Sequence, residues 1–241
     1  MRNALLALAA AAPFALTVAL TQATAETPRD PGRPIIVELF TSEGCSSCPP
    51  ADRLLTELAA RKDVLALAFH VTYWNNLGWP DPFSLQAATD RQTNYARISQ
   101  TGGSYTPQAV IDGRIDVVGS ERGQLTRAIA AAARAATPPI ALQATNSSAG
   151  LHITVAAGSG SAKLLLIGYD PEHVTKVTRG ENAGETLRES NIVRSIETIA
   201  DYSGAALDLT RKLPAGQRHA LILQAADGHI IGAARIETPG A

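Results

Sequence analysis

Two cysteines, Cys45 and Cys48, are the side chains of this 241-residue chain best suited to chemistry. They are separated by two serines and followed by Pro49, Pro50 and leucines at helical spacing, so they lie where a helix begins. Amide groups and the positive end of the helix dipole favour a thiolate there, and the thiolate is the form that attacks disulfides. We predict a redox-active disulfide pair, with Cys45 as the nucleophile and Cys48 as the resolving cysteine. The alternative is a structural disulfide that closes a very small loop.

The first 25 residues have the pattern of a secretory signal peptide. Arg2 precedes an apolar run over residues 4–20, and Ala23-Thr24-Ala25 supplies a small-x-small cleavage pattern. The run contains Pro13 and is shorter than the ~20 apolar residues that span a bilayer, which favours a signal peptide over a membrane anchor. We expect a periplasmic or secreted protein with no stable membrane span after signal cleavage.

Composition and charge narrow the class of partner. The chain has 21 Lys and Arg against 22 Asp and Glu, a net charge of −1, which gives no electrostatic reason to bind nucleic acid. The five histidines stand apart from one another and make no zinc motif with the cysteines, so we expect no bound metal and no cofactor. A two-thiolate copper(I) site stays an alternative, because soft sulfur ligands suit that ion. The expected partner is a protein or a low-molecular-weight thiol or disulfide.

Apolar runs on either side of the cysteines predict a βαβ unit. Residues 35–40 form one buried strand and residues 64–71 form a second, with the helix between them. Three aromatic residues, Tyr73, Trp74 and Trp79, follow the second strand, at the sheet edge where α/β proteins bind ligands. They are candidates for binding a substrate next to the cysteines. The alternative is a packed loop that covers the core.

The order of the elements resembles that of thioredoxin over residues 35–136. A helix-compatible segment follows the aromatic residues, and then come Thr106-Pro107, an apolar hairpin with an Asp-Gly turn, and an alanine-rich helix. The resemblance implies that Pro107 is a cis-proline facing the cysteine pair and that the carbonyl of Thr106 pairs with a substrate strand. It also implies a possible proton relay from Glu38, in the strand before the cysteines, to the resolving sulfur. Pairing of Glu38 with an arginine is the alternative.

A narrower resemblance rests on two motifs. Glu-Leu-Phe-Thr-Ser-Glu-Gly-Cys-Ser-Ser-Cys-Pro-Pro-Ala-Asp over residues 38–52 and Tyr-Trp…Leu-Gly-Trp…Asp-Pro-Phe over residues 73–83 are similar to an exported bacterial thioredoxin-like family classed as domain of unknown function 1223. This resemblance spans nearly the whole chain after the signal peptide and implies no established substrate. Gly44 and Pro49 depart from thioredoxin, which has tryptophan and lysine there. Because proline disfavours helical backbone in the residue before it, Cys48 is expected at the edge of the helix.

The C-terminal part has a different pattern, in which short apolar segments alternate with turn residues and predict a β-sandwich. The expected fold class is α/β, a thioredoxin-like domain followed by a C-terminal β-sandwich-like domain. The predicted division is signal peptide (1–25), leader (26–34), thioredoxin-like domain (35–137) and β-rich domain (138–241). The predicted function is an exported thiol–disulfide oxidoreductase. Since a fold does not imply an activity, a non-catalytic binding module on a thioredoxin scaffold and a copper(I) carrier are the alternatives.

Overall fold

The computed structural model describes residues 32–99, 102–135 and 139–237 of the chain. The predicted signal peptide and most of the predicted leader lie outside these residues. In chain order the elements are β1 (Ile35–Thr41), α1 (Pro49–Ala59), β2 (Val64–His70), α2 (Gln86–Ser99), β3 (Gln108–Ile111), β4 (Ile115–Val118), α3 (Arg122–Ala135), β5 (Leu142–Ser147), β6 (Gly150–Val155), β7 (Ala162–Lys176), β8 (Thr186–Tyr202), β9 (Leu207–Arg211), β10 (Arg218–Ala225) and β11 (Ile230–Ile236). Among these helices, none combines the length and apolar character that crossing a membrane requires.

Strand β1 lies in the interior of an eight-stranded mixed sheet with the order β11-β10-β7-β8-β2-β1-β3-β4. It pairs in parallel with β2 and antiparallel with β3, and every residue of β1 and β2 is buried. Side chains of a strand alternate between the two faces of a sheet. Val37 and Leu39 pack on the face that α1 and α3 cover, and Ile36 and Phe40 pack on the face that α2 covers. This alternation decides which side chains of β1 can reach the cysteines.

The C-terminal strands differ from the expected separate sandwich. Strands β7, β8, β10 and β11 continue the sheet of β1–β4, and the two parts join where Ala68 of β2 pairs with Ile192 of β8. The apolar strand β2 needs a hydrogen-bonding neighbour on its second edge, and β8 supplies one. The other strands, β5, β6 and β9, form a second sheet that packs on β7 and β10 through residues such as Leu151, Leu164 and Leu221. The mixed α/β class is confirmed, whereas the division into two domains at residue 137 stays a prediction.

Strands β7 and β8 are the longest in the described chain, with 15 and 17 residues, and they carry a loop to the N-terminal end of α1. We call residues 177–185, which connect the two strands, the covering loop. Its base is closed by backbone hydrogen bonds from Val177 N to Glu185 O (3.0 Å) and from Gly184 N to Val177 O (2.9 Å). The sheet therefore brings a segment from the C-terminal part against the cysteine loop.

Candidate functional site

The cysteine pair lies at the start of α1, where the sequence predicts it. Cys45 and Cys48 form a disulfide, and Cys48 is the N-cap residue, with helical backbone angles (φ −80°, ψ −36°). Pro49 and Pro50 occupy the first two helical positions and have no amide proton. The next amide, that of Ala51, donates to the Cys48 carbonyl at 2.8 Å. The two prolines thus remove two of the amide donors that would otherwise stabilise a thiolate at this helix end.

Thr106 and Pro107 lie against the pair. The peptide bond between them is cis, which is the isomer predicted from the sequence. The Thr106 hydroxyl is 3.3 Å from the Cys45 Sγ and is oriented to donate a hydrogen bond to it. The same oxygen accepts a hydrogen bond from Trp74 Nε1 at 2.8 Å. Thr106 therefore links the Cys45 sulfur to the aromatic segment after β2.

Of the aromatic residues predicted to bind substrate, Trp74 and Trp79 lie next to the cysteine site, whereas Tyr73 bonds to α2. Trp79 Nε1 donates to Glu43 Oε2 at 2.7 Å, and the Tyr73 hydroxyl donates to Gln92 at 3.2 Å. Both indole N–H groups are therefore bonded within the protein, and the two tryptophan rings are only partly exposed. Tyr73 is 40% exposed and the neighbouring Leu77 is 58% exposed, so the outer side of this segment faces solvent. A role in substrate binding stays a prediction for these residues.

The predicted relay role of Glu38 is wrong, and the alternative of pairing with an arginine is what the structure shows. Glu38 is fully buried on the α2 face of β1, between Ile36 and Phe40, whereas the cysteine helix covers the opposite face. Arg91 binds both of its carboxylate oxygens, at 2.8 Å from Nη2 to Oε1 and closer from Nε to Oε2, and the Tyr95 hydroxyl donates at 2.6 Å. The period of two along a strand places this carboxylate out of reach of the sulfurs.

Asp52 is a buried carboxylate on the cysteine side of the sheet. It stands four residues after Cys48, so the two side chains project from the same side of α1. The Thr41 hydroxyl donates to Asp52 Oδ1 at 2.8 Å. Burial raises the pKa of Asp52 to about 6, against the opposing effects of His70 and the Thr41 hydrogen bond. A carboxyl group with this pKa can both accept and release a proton near neutral pH.

Asp52 belongs to a buried cluster of ionisable groups behind the cysteine loop, which also contains Glu43, His70, Asp81 and Glu189. His70 Nδ1 lies 2.7 Å from Asp81 Oδ2, and His70 Nε2 lies 3.7 Å from Glu189 Oε1. Burial lowers the pKa of His70, but the charges of Asp81 and Glu189 outweigh burial and raise it to about 10. His70 is therefore an imidazolium that holds Asp81 ionised.

The covering loop closes over the cysteine loop. Asn182 Nδ2 donates to the carbonyl oxygens of Glu43 (2.8 Å) and Cys45 (3.0 Å), and its side chain is buried. Glu181 accepts hydrogen bonds from the Ser46 amide (3.1 Å) and hydroxyl (2.7 Å). Both cysteines are 0% exposed, although the serines between them are exposed. A reagent that attacks the disulfide must displace part of this cover.

Comparison with known proteins supplies the family. The family described as protein of unknown function (DUF1223) matches residues 36–225, a range that includes the cysteine pair, the buried cluster and the covering loop. The chain belongs to the DUF1223 family. A protein of Agrobacterium tumefaciens, solved by X-ray crystallography in a structural genomics programme, is similar in structure, with a TM-score of 0.73 and 30% sequence identity. The match covers 86% of this chain and 95% of the Agrobacterium chain. No curated protein matches the chain.

Several residues of the site were not predicted from the sequence of this DUF1223 protein, among them Asp52, Asp81, Asn182 and Glu189. Asp52 carried a signal, because its position four residues after Cys48 puts it on the inner side of the predicted helix. The other three reach the site only through the long pairing of β7 with β8 and through the loop after β2, which no local pattern specifies. Within the described ranges, no three His, Cys, Asp or Glu side chains converge in a way that could hold a metal ion.

Proposed function

We propose that this DUF1223 protein is an exported thiol–disulfide oxidoreductase, periplasmic or secreted, that acts on a protein or a low-molecular-weight thiol or disulfide through Cys45 and Cys48. The observation that carries the proposal is the contact of the Thr106 hydroxyl with the Cys45 sulfur (3.3 Å) at the start of α1. A hydroxyl in this place stabilises negative charge on the attacking sulfur, because hydrogen bonds to a charged form favour that form.

We also infer that residues 35–137 form a thioredoxin-like domain. In support, β1, α1, β2, α2, the β3–β4 hairpin and α3 follow one another along the chain in the order that the resemblance implies, and β1 pairs with both β2 and β3. The helix carrying the cysteine pair follows β1 directly, and the Thr106–Pro107 junction precedes β3. Both parts of the proposed site thus lie at the ends of adjacent strands, and a rigid sheet holds them in position.

The proposed thiol–disulfide exchange has two steps, and the electrons balance in each. The Cys45 thiolate of the reduced protein attacks a substrate disulfide, which forms a mixed disulfide and releases one substrate thiolate. The Cys48 thiolate then attacks the Cys45 sulfur, which forms the intramolecular disulfide and releases the second substrate thiolate. Two electrons pass from the protein to the substrate, and the reverse sequence oxidises a substrate dithiol. Asp52 is the proposed group that takes the proton from the Cys48 thiol before the second attack and returns it in the reverse direction.

A redox titration tests the proposal. The protein is equilibrated in dithiothreitol or glutathione buffers, the free thiols are alkylated, and the reduced fraction is measured by mass. We expect a reduction potential between about −270 and −120 mV, the range of dithiol oxidoreductases, together with catalysed reduction of a protein disulfide. Cys45→Ser should abolish exchange, and Cys48→Ser should accumulate the mixed disulfide.

A second function is favoured by one observation, the full burial of both cysteines. A covered disulfide suits a non-catalytic binding module in which the bond holds the cysteine loop in shape. Structural disulfides in secreted proteins have potentials below about −300 mV. A potential in that range, combined with no catalysed exchange, would exclude the oxidoreductase and assign the binding module.

A further inference from the structure

A cleft of about 550 Å³ lies between α1 and β8, beside the cysteine pair. Ser46, Pro49, Arg53 and Arg188 are among the residues that line it. Two residues with buried carboxyl groups also line the cleft, Asp52 of α1 and Glu189 of β8. The proposed thiol exchange uses Asp52 but assigns no role to Glu189 or to the space beside it.

Glu189 has a buried carboxyl group without a hydrogen-bond partner. Its side chain is 2% exposed, and neither Oε1 nor Oε2 makes a hydrogen bond. The nearest cationic atom is His70 Nε2, at 3.7 Å, which also has no hydrogen-bond partner. Buried polar groups in proteins are almost always bonded, so an unbonded carboxyl on the wall of a cleft is a group that a ligand can bond.

The charges around Glu189 determine the sign of that ligand. Four carboxyl groups surround one imidazole: Glu43 precedes α1, Asp52 is in α1, Asp81 follows β2, and Glu189 faces His70 from β8. Asp81 Oδ2 lies closest to His70, at 2.7 Å, so the positive charge of His70 balances the charge of Glu189 only in part. Burial raises the pKa of Glu189 well above its usual value, although His70 opposes this. A positive charge placed beside Glu189 would therefore favour the ionised form of its carboxyl group.

We propose that this cleft is a binding site for an organic cation, the alkylammonium or guanidinium group of a ligand, with the Glu189 carboxylate as the group that the cation reaches. Hard metal ions require several oxygen ligands, and no such set converges in the part of the chain that the structure describes. An ammonium or guanidinium group needs only one or two carboxylates, and a cleft of about 550 Å³ has room for the alkyl chain that carries it. Because Ser46, which stands between the two cysteines, lines the cleft, a basic side chain of a substrate polypeptide bound here would lie next to the cysteine pair.

Calorimetric titration of the oxidised protein tests the site without any redox step. The peptide probes are Nα-acetyl-lysine and Nα-acetyl-arginine methylamides, the free-amine probe is cadaverine, and the uncharged control is Nα-acetyl-norleucine methylamide. Repeating the titration in buffers with different heats of ionisation measures the number of protons released on binding. Because no probe contains sulfur, the result does not depend on the proposed thiol exchange.

We expect at least one cationic probe to bind with a Kd of 1 mM or below, to release protons on binding, and to lose at least tenfold in affinity in Glu189→Gln. Glu185→Gln is the matched control, since it neutralises an exposed carboxylate of the same cleft and should change the affinity less than threefold. Tighter binding of a methylamide than of cadaverine assigns a polypeptide ligand, the reverse assigns a free amine, and both support the site.

Three results would overturn the proposal. They are no binding of any cationic probe at 10 mM, equal binding of the norleucine control, and equal losses in Glu189→Gln and Glu185→Gln. Glu189→Gln keeps the size of the side chain and removes its ionisable group, so the fold should stay intact, which thermal unfolding checks. If Glu189→Gln does not fold, the test uses the wild-type protein, and amide chemical shifts are followed while a cationic probe is added. Chemical-shift changes that do not include Leu187, Arg188 and Glu189 would then refute the site.

Discussion

Asn182→Ala should make the Cys45–Cys48 disulfide more accessible to a reductant. The Asn182 amide bonds the carbonyls of Glu43 and Cys45, so it ties the covering loop to both ends of the turn that leads into the pair. Alanine removes both hydrogen bonds and adds no bulk. The loop would then open more often, while its backbone hydrogen bonds at Val177 and Gly184 stay intact.

The size of the effect follows from the two bonds. Each buried hydrogen bond contributes about 0.5–1.5 kcal/mol net, so the closed loop loses about 1–3 kcal/mol relative to the open loop. If a reductant reacts only with the open form, the rate rises in proportion to the open fraction. Since 1.4 kcal/mol corresponds to a factor of ten, the expected acceleration is roughly 5- to 150-fold.

The assay is the pseudo-first-order reduction of the oxidised protein by a water-soluble phosphine, with free thiols counted over time. Tyr202→Phe is the control, because it removes a hydrogen bond to the carbonyl of Ala156 (3.0 Å), which follows β6 of the second sheet. It should destabilise the protein without changing the reduction rate. An Asn182→Ala rate within twofold of wild type would show that the loop does not control access. Equal acceleration in both variants would mean that reduction follows global unfolding instead.

Three further predictions concern Glu38, Asp52 and Thr106. Arg91→Met should lower the free energy of unfolding, measured in urea, by about 3–5 kcal/mol, because it leaves the buried Glu38 carboxylate unpaired. The rate of thiol exchange per folded molecule should stay unchanged. A slowed exchange would restore a relay role for Glu38. Asp52→Asn should raise the unfolding free energy at pH 7.5 by up to about 3 kcal/mol and leave it unchanged at pH 3.5. Burial raises the pKa of Asp52 from 3.8 to about 6, so ionised Asp52 lowers stability as the pH rises through this window; the same change at both pH values would contradict this reasoning. Thr106→Val should raise the pKa of the Cys45 thiol in the reduced protein by about one unit, because the thiolate loses a hydroxyl donor. The pH dependence of alkylation measures this pKa. An unchanged value would show that the Thr106 hydroxyl does not stabilise the thiolate.

The N-terminal part of the site could be predicted from the sequence because its signals are local. An apolar run predicts β1, Pro49-Pro50 marks the start of α1, and the Asp112-Gly113 turn of the β3–β4 hairpin has positive φ at both residues (50° and 71°), as a primed turn requires. Such patterns depend on neighbouring residues only. They therefore hold before anything is known about tertiary packing.

The rest of the site depends on pairing between distant strands. The pattern of apolar residues predicts two short strands, over residues 164–169 and 173–178. In the structure both segments belong largely to one strand, β7, because β8 pairs with it on both sides of a bulge at Gly168. Local composition does not distinguish one long irregular strand from two short ones. The position of Glu189 beside His70 follows from this pairing and from the single junction of β8 with β2. The partner of Glu38 was equally hidden, since Arg91 comes 53 residues later.

The covering loop also has a consequence for the order of events during biosynthesis. Asn182 follows Cys45 by 137 residues, so in a chain that emerges N-terminus first the two cysteines appear long before the segment that closes over them. During that interval the thiols are open to any oxidant in the surrounding compartment. A disulfide that forms in that interval would be covered when the hairpin between β7 and β8 later closes over it. The length of chain between Cys45 and Asn182 therefore sets how long the two cysteines stay uncovered during synthesis.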